Sequence, residues 1–292
     1  MYELIPAAEH TYYLNCPSRI GLVELGGGAV AAIDSGGDKD AGKKVLRVVK
    51  EQGWTLTAVY NTHSHVDHIG GNRYLQEQTG CAIWAPGIEC DVTNHPMLEP
   101  GLLWGGFPPK DLRHKFLMAQ ASRAMPLTPE SLPEGWTLLP LPSHSFDMVG
   151  FRTAEDVVYL ADCLSARETL EKYGIGYVWD VEAFLQTLEQ VKTMEARCFV
   201  PAHAPATGDI IPLAQYNIDA VLSAGETICG LCAQLIQFEQ LLERLFAAYG
   251  LTMTFQQYGL MGSTLRSYLT WLQNRGLMTC EIENNRLLWR KA

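Results

Sequence analysis

The sequence predicts an α/β fold with a mainly helical C-terminal part, on three observations. Short apolar stretches of strand character alternate with helical periodicity through residues 1–211. The composition, 47% hydrophobic and 18% charged over 292 residues, is that of a globular chain with a sizeable core and excludes intrinsic disorder. From about Pro212 the apolar residues fall three and four apart, which marks a second, helical subdomain over 212–292.

Taken in order, Ile20 to Leu25 and Ala29 to Ile33 flank the turn Gly26-Gly27-Gly28 as a β-hairpin that ends at Asp34-Ser35-Gly36. Ala41, Val45, Val48 and Val49 then recur at helical spacing until Gly53. A strand over Leu56 to Tyr60 leads straight into Asn61-Thr62-His63-Ser64-His65-Val66-Asp67-His68, followed by a helix from Gly70 to Gln78 and a strand from Cys81 to Ala85. Residues 94–135 break this rhythm. They are rich in proline and carry Trp104 and Phe107, and such an irregular insertion is expected to cap the functional site.

Strands resume at Leu138 to Leu141, Met148 to Arg152 and Val157 to Leu160. Asp180 is a good N-cap for a helix whose Val181, Phe184, Leu185, Leu188 and Val191 form one apolar stripe. Cys198 to Val200 is a last short strand before Pro201-Ala202-His203. In the C-terminal part, Leu235, Phe238, Leu241, Leu242, Leu245 and Phe246 predict one helix, and Ser263 caps a second that bears Leu265, Tyr268, Leu269 and Leu272 and stops at Gly276. Leu277 to Ile282 and Arg286 to Arg290 flank Glu283-Asn284-Asn285 as a hairpin, so the end of the chain resembles a winged helix.

The net charge of −10 disfavours attraction of the whole chain to nucleic acid or anionic membranes, although residues 261–292 are locally about +3. No apolar run is long enough for a membrane span, and the N-terminus lacks the pattern of a secretory signal, so the expected location is the cytoplasm. The eight cysteines are scattered through apolar surroundings and read as free thiols; Cys229 and Cys232 form a lone CxxC without the partners a zinc site needs.

Three of the eight histidines sit with an aspartate in the window His63-x-His65-x-Asp67-His68, a concentration that chance explains poorly. Alternate residues of an extended segment point the same way, so His63 and His65 can share one metal ion while Asp67 and His68 turn towards a second. A hydrolytic zinc site takes about three protein ligands and keeps a position open for water. Further ligands are therefore expected at later strand ends, where His144, Asp162 and His203 each follow an apolar stretch. Two ions about 3.5–4 Å apart would share a water and supply hydroxide at neutral pH.

The order HxHxDH, then His, Asp and His, over roughly residues 15–210, resembles the metallo-β-lactamase superfamily. That resemblance implies a four-layer αβ/βα sandwich with the metals at one edge. It implies His63, His65 and His144 at the first metal, and Asp67, His68 and His203 at the second, with Asp162 bridging. Asp34 matches an aspartate that supports the metal loop, and Asp67 would orient the hydroxide while ligating. The expected cofactors are two divalent ions, zinc first, with manganese or iron as alternatives.

Departures narrow the branch. Ser143 and Ala202 precede ligands where the family usually has glycine. His65 stands where the di-iron flavoproteins carry Glu, Ser165 where quorum-sensing lactonases carry Tyr, and only 40 residues separate Asp162 from His203, too few for the inserted domain of the nucleases. Thioesterases similar to glyoxalase II stay within the resemblance, although no basic set suited to glutathione stands out in the C-terminal region. The expectation is thus a metal-dependent hydrolase of an ester, thioester, lactone, amide or phosphoester of a small molecule.

Two rivals are an RNA- or DNA-processing nuclease, with Arg266, Arg275, Arg286 and Arg290 on phosphates, and a persulfide dioxygenase with a single iron. The tail also suits dimerisation. His10, His95 and His114 have no motif context, though the last two would enter the pocket if the cap folds over it. Tyr173, Tyr177 and Trp179 are candidates to line it, with packing roles the commoner reading.

Overall fold

The computed structural model describes residues 2–292. Strands β1 (Glu3–Pro6), β2 (Thr11–Asn15), β3 (Ile20–Gly26) and β4 (Ala29–Ile33) form an antiparallel meander. Helix α1 (Lys39–Glu51) crosses back to β5 (Thr55–Tyr60), and α2 (Val66–Ile69) and α3 (Asn72–Thr79) cross to β6 (Ala82–Ala85). After α4 (Gly87–Asn94) and α5 (Leu98–Trp104), β7 (Ala124–Pro126) closes a seven-stranded sheet in chain order, parallel from β4 onward.

A second sheet, in the order β11-β10-β9-β8, is built from β8 (Thr137–Pro140), β9 (Val149–Arg152), β10 (Val157–Ser165) and β11 (Cys198–His203). Helices α6 (Arg167–Tyr173) and α7 (Val181–Lys192) connect β10 to β11, which pair in parallel.

The two-residue period of the strands sorts side chains into layers. On β4, Val30 and Ala32 pack with Val45 and Val49 of α1, whereas Ala31 and Ile33 face Phe151 and Tyr159 of the second sheet. On β10, Val157 and Tyr159 face the first sheet, and Val158 and Leu160 pack outward with Phe184 and Leu188 of α7. Helix, sheet, sheet, helix is the αβ/βα sandwich. The sheets meet closely at Gly21, where an added Cβ would lie 2.6 Å from the Tyr159 ring; the Tyr159 hydroxyl donates to the Tyr12 carbonyl at 2.7 Å.

The C-terminal part runs α8 (Ile211–Leu231), β12 (Ile236–Gln237), α9 (Phe238–Ala248), α10 (Phe255–Asn274), β13 (Met278–Glu283) and β14 (Arg286–Lys291). Its sheet order, β12-β14-β13, joins the first short strand to the hairpin as in a winged helix. Asn284 and Asn285 both take left-handed φ (51° and 61°), the requirement of a tight two-residue hairpin turn. Residues of α8, α9 and α10 share one apolar cluster with α7 and the outer face of β10.

Several elements differ from expectation. β1 and β2 carry no hydrophobic alternation strong enough to announce them. Residues 124–126, inside the irregular stretch, are the edge strand of the first sheet. Ser263 lies in the middle of α10, which Thr254 caps instead by accepting from the Gln257 amide at 3.2 Å. No helix among the described residues is long and apolar enough to cross a membrane.

Candidate metal centre

The β4–α1 turn and the HxHxDH segment are locked together by two glycines. A Cβ at Gly70 would collide with the Gly37 carbonyl, and one at Gly71 with the Ser35 carbonyl oxygen, so only glycine lets α2 and α3 approach so closely. The Ser35 amide donates to the His68 carbonyl at 2.8 Å and the Gly71 amide to that of Gly36 at 3.0 Å. At the head of this turn Asp34 adopts φ 63°, and its carboxylate accepts from the Thr62 amide (2.8 Å) and hydroxyl (2.9 Å) and lies 2.8 Å from His68 Nδ1.

Four strand ends deliver the remaining groups. His63 and His65 follow β5, Asp67 and His68 open α2, His144 lies between β8 and β9, and His203 ends β11. Asp162 sits within β10 just after a register shift at Ala161, whose φ of 50° turns the strand locally. All seven residues converge as two sets of donors, His63 with His65 and His144, and Asp67 with His68, Asp162 and His203; within each set the donor atoms lie within 4.8 Å of one another.

His65 Nδ1 is 2.9 Å from His144 Nε2. Asp162 reaches both sets, with Oδ2 3.4 Å from His144 Nε2 and 3.2 Å from His203 Nε2. His203 Nε2 is also 3.1 Å from Asp67 Oδ2. The outer ring nitrogens are anchored: His63 Nδ1 by the Thr62 hydroxyl (3.0 Å), His144 Nδ1 by the Tyr177 carbonyl (3.2 Å), and His203 Nδ1 by the Pro17 carbonyl (3.0 Å). Such partners fix ring orientation and tautomer.

The donor chemistry fits divalent metal. His63 Nε2, His68 Nε2 and Asp162 Oδ1 are buried without a hydrogen-bond partner, although His68 Nε2 and Asp162 Oδ1 are only 3.1 Å apart; their orientation is not that of a hydrogen bond. Three orphaned donor atoms aimed at one region are costly unless a cation satisfies them. Burial lowers His63 well below the usual imidazole range and takes His65 and His144 to about 4, so these rings are neutral. Asp162 draws His203 up to about 10; at His68 burial opposes protonation, but Asp162, Asp67 and Asp34 outweigh it. A divalent ion would displace those protons.

One further carboxylate organises the site. Glu89, fully buried on α4, accepts from the Ser64 amide (3.0 Å) and hydroxyl, the Ser145 hydroxyl (2.6 Å) and the Asp147 amide (3.1 Å), joining the loops that carry His65 and His144. Sequence reading missed it because its partners Ser64 and Ser145 lie 25 and 56 positions away, with no local pattern.

A cavity of about 740 Å³ opens onto His65, Asp67, His144 and Asp162. Residues 97–99, 101–103, 106–108, 116 and 117, within the proline-rich stretch, form much of its wall, with Tyr177, Trp179 and, from α10, Gln256 and Leu260. Tyr173, His95 and His114 do not line it, and His10 lies 3.5 Å from Glu24 elsewhere. The Cys163 thiol is buried and pushed up by burial, so it is no nucleophile. Cys229 and Cys232 are free. In the tail, Arg266 lies over the Phe238 ring at 3.9 Å and Arg275 pairs with Glu182 at 3.3 Å.

Fold and site together define a two-sheet sandwich with paired His/Asp donor sets at one sheet edge. The sequence profile of the Metallo-beta-lactamase superfamily matches residues 14–203, and the chain belongs to that superfamily. It is 29% identical over 195 residues to a hydroxyacylglutathione hydrolase of Methylococcus capsulatus, an alignment covering 66% of this chain and 61% of that one. A hydroxyacylglutathione hydrolase of Erythrobacter litoralis is 46% identical over 59 residues, 20% of this chain and 22% of that one. Among solved structures, a metallo-beta-lactamase family protein from Thermus thermophilus superposes with a TM-score of 0.77 at 16% identity, covering 98% of this chain and 100% of that one. A beta-lactamase domain protein from Burkholderia ambifaria gives 0.69 at 15% identity, with 99% and 94% covered. The shared fold thus includes the C-terminal part.

Proposed function

We propose that the chain is a dinuclear metal-dependent hydrolase of a small-molecule ester, thioester, lactone, amide or phosphoester. The observation that carries this reading is the pair of adjacent donor sets, with three orphaned, buried donor atoms among them, beside a cavity that His65, Asp67, His144 and Asp162 line. His63, His65 and His144 would hold one ion, and Asp67, His68 and His203 the other, with Asp162 between them and Asp34 orienting His68 through Nδ1. Zinc suits such a set of imidazoles and carboxylates, with manganese or iron as alternatives. When bound, such ions lower the pKa of a shared water and polarise the scissile carbonyl or phosphoryl oxygen.

Asp67, whose side chain is 42% exposed and lines the cavity, would orient the attacking water while ligating. The cavity wall holds the substrate and excludes solvent from one side of the scissile bond. Residues 1–211 form the catalytic domain, the 94–135 segment its cap, and 212–292 a subdomain docked on it through Ser267 Oγ to the Trp179 carbonyl (2.7 Å) and Trp271 Nε1 to Glu182 (2.8 Å). The free cysteines support a reducing, cytoplasmic setting.

The test is metal content by mass spectrometry on protein purified without added metal, with His65→Ala as control, followed by a panel of ester, thioester and phosphodiester substrates. Two ions per chain, reduced in the variant, with metal-dependent hydrolysis, is the expected result. A single iron with oxygen consumption, or no metal under any loading condition, overturns it.

A further inference from the structure

The wall of the cavity over the donor sets is apolar: Leu98, Leu102, Leu103, Phe107, Phe116 and Leu260 converge on it from α5, the loop after it and α10. No lysine or arginine lines it, and the single ionisable side chain in the lining outside the donor sets is an acid, Glu99, whose carboxyl is pushed well above the usual range by burial. Two cations lie behind lining rings without lining the cavity themselves: Arg113, half-buried with an unpartnered Nε, 5.1 Å from the centroid of the Phe107 ring, and Lys115, 5.1 Å from that of Phe116 and paired with Asp38 at 3.3 Å. Two bound divalent ions would carry four positive charges against two negative charges from Asp67 and Asp162, so any surplus positive charge would lie at the floor, while the wall above offers nothing to balance an anion higher in the cavity.

Resting on the hydrolase reading, we infer that the substrate carries an uncharged apolar group, a medium-length alkyl or aryl acyl chain, that fills this cavity, and that an anionic group inside it is rejected. This differs in chemistry from the carrier implied by the name of the hydroxyacylglutathione hydrolases, whose tripeptide is anionic. At about 740 Å³ the cavity lies within the range of pockets that enclose a small-molecule ligand. It is shaped jointly by α5 and α10, where Trp104 stacks on Phe255 with ring centroids 5.6 Å apart, so the C-terminal helix takes part in setting the size of the apolar group.

Non-scissile thioethers separate this inference from the reaction. Binding of S-alkyl-N-acetylcysteamines to the purified chain is measured by calorimetry for ethyl, butyl, hexyl and octyl groups, beside an S-(7-carboxyheptyl) analogue of matched length. Affinity should rise between about two- and fourfold per methylene, and the carboxylated analogue should bind at least about tenfold more weakly than its methyl-ended partner. Leu98→Lys, at a half-exposed position in the wall, should narrow that difference by strengthening the carboxylated ligand. Affinity independent of chain length, or equal binding of the two octyl-length ligands, overturns the inference. If the ligands bind as expected but the metal-loaded chain cleaves none of the corresponding thioesters, esters, lactones, amides or phosphoesters, the cavity assignment stands and the hydrolase reading falls.

Discussion

The two donor sets are built on opposite electrostatic plans. His63, His65 and His144 are imidazoles without a carboxylate of their own, kept neutral by burial and anchored where the structure shows partners by uncharged groups, the Thr62 hydroxyl and the Tyr177 carbonyl. Asp67, His68, Asp162 and His203 combine two carboxylates with two histidines, and a third carboxylate, Asp34, stands behind His68. The first set is ready to bind a cation with little proton release, whereas the second must exchange protons for it but offers far more negative charge. The second set should therefore hold its ion more tightly, and the two should respond differently to mutation.

Asp162, a member of the second set, also lies 3.4 Å from His144 of the first, so Asp162→Ala should erase the distinction. We expect loss of both ions from the purified protein and a fall of at least about 10³-fold in kcat/KM on any substrate the wild type cleaves. Retention of one tightly bound ion, measured by mass spectrometry, would show that the sets are independent and that Asp162 belongs to only one of them.

Asp34→Asn should sharpen the comparison. The amide nitrogen can no longer accept from Thr62 or from His68 at that position, and loss of such an outer partner typically costs 10- to 100-fold in metal affinity. The loss should fall on the ion held by His68. Competition with a coloured chelator resolves the two stoichiometric steps, and equal weakening of both would contradict the assignment.

Glu89→Gln acts on the other side. Glu89 joins the loops of His65 and His144, and replacing its carboxylate weakens charge-assisted hydrogen bonds to Ser64, Ser145 and the Asp147 amide. Thermal unfolding should show a loss of about 1–3 kcal/mol, and the first ion should weaken more than the second. Unchanged stability would mean that the loops are held by other contacts.

How much of this was legible follows from where the information lies along the chain. Four of the donor residues fall in one six-residue window and the other three each come after an apolar stretch, so His63, His65, Asp67, His68, His144, Asp162 and His203 were all readable in the sequence, and they converge. Glu89 was not, because its role exists only after α4 packs between two loops distant in sequence. The start of α10 was misplaced because Ser263 and Thr254 are both residue types that cap helices, and only the fold shows Thr254 accepting from the Gln257 amide. β7 was hidden in a proline-rich stretch because a three-residue edge strand leaves no periodicity to detect.

The smallest expected effect lies outside both sets and serves as their control. Asp38 caps α1, its carboxylate accepting from the amides of Asp40 and Ala41 at 3.0 Å, and these bonds, with burial opposing, hold its carboxyl below the usual range. A depressed folded-state pKa means that the contribution is fully present above the ordinary carboxylate pKa of about 4 and is lost as pH falls through the lower folded value. Asp38→Ala should therefore cost about 1 kcal/mol at neutral pH, less as the pH drops below about 4, with metal content unchanged. Because α1 begins shortly after Asp34, loss of metal in this variant would show instead that the helix start and the Asp34 turn move as one unit, and that the second donor set depends on both.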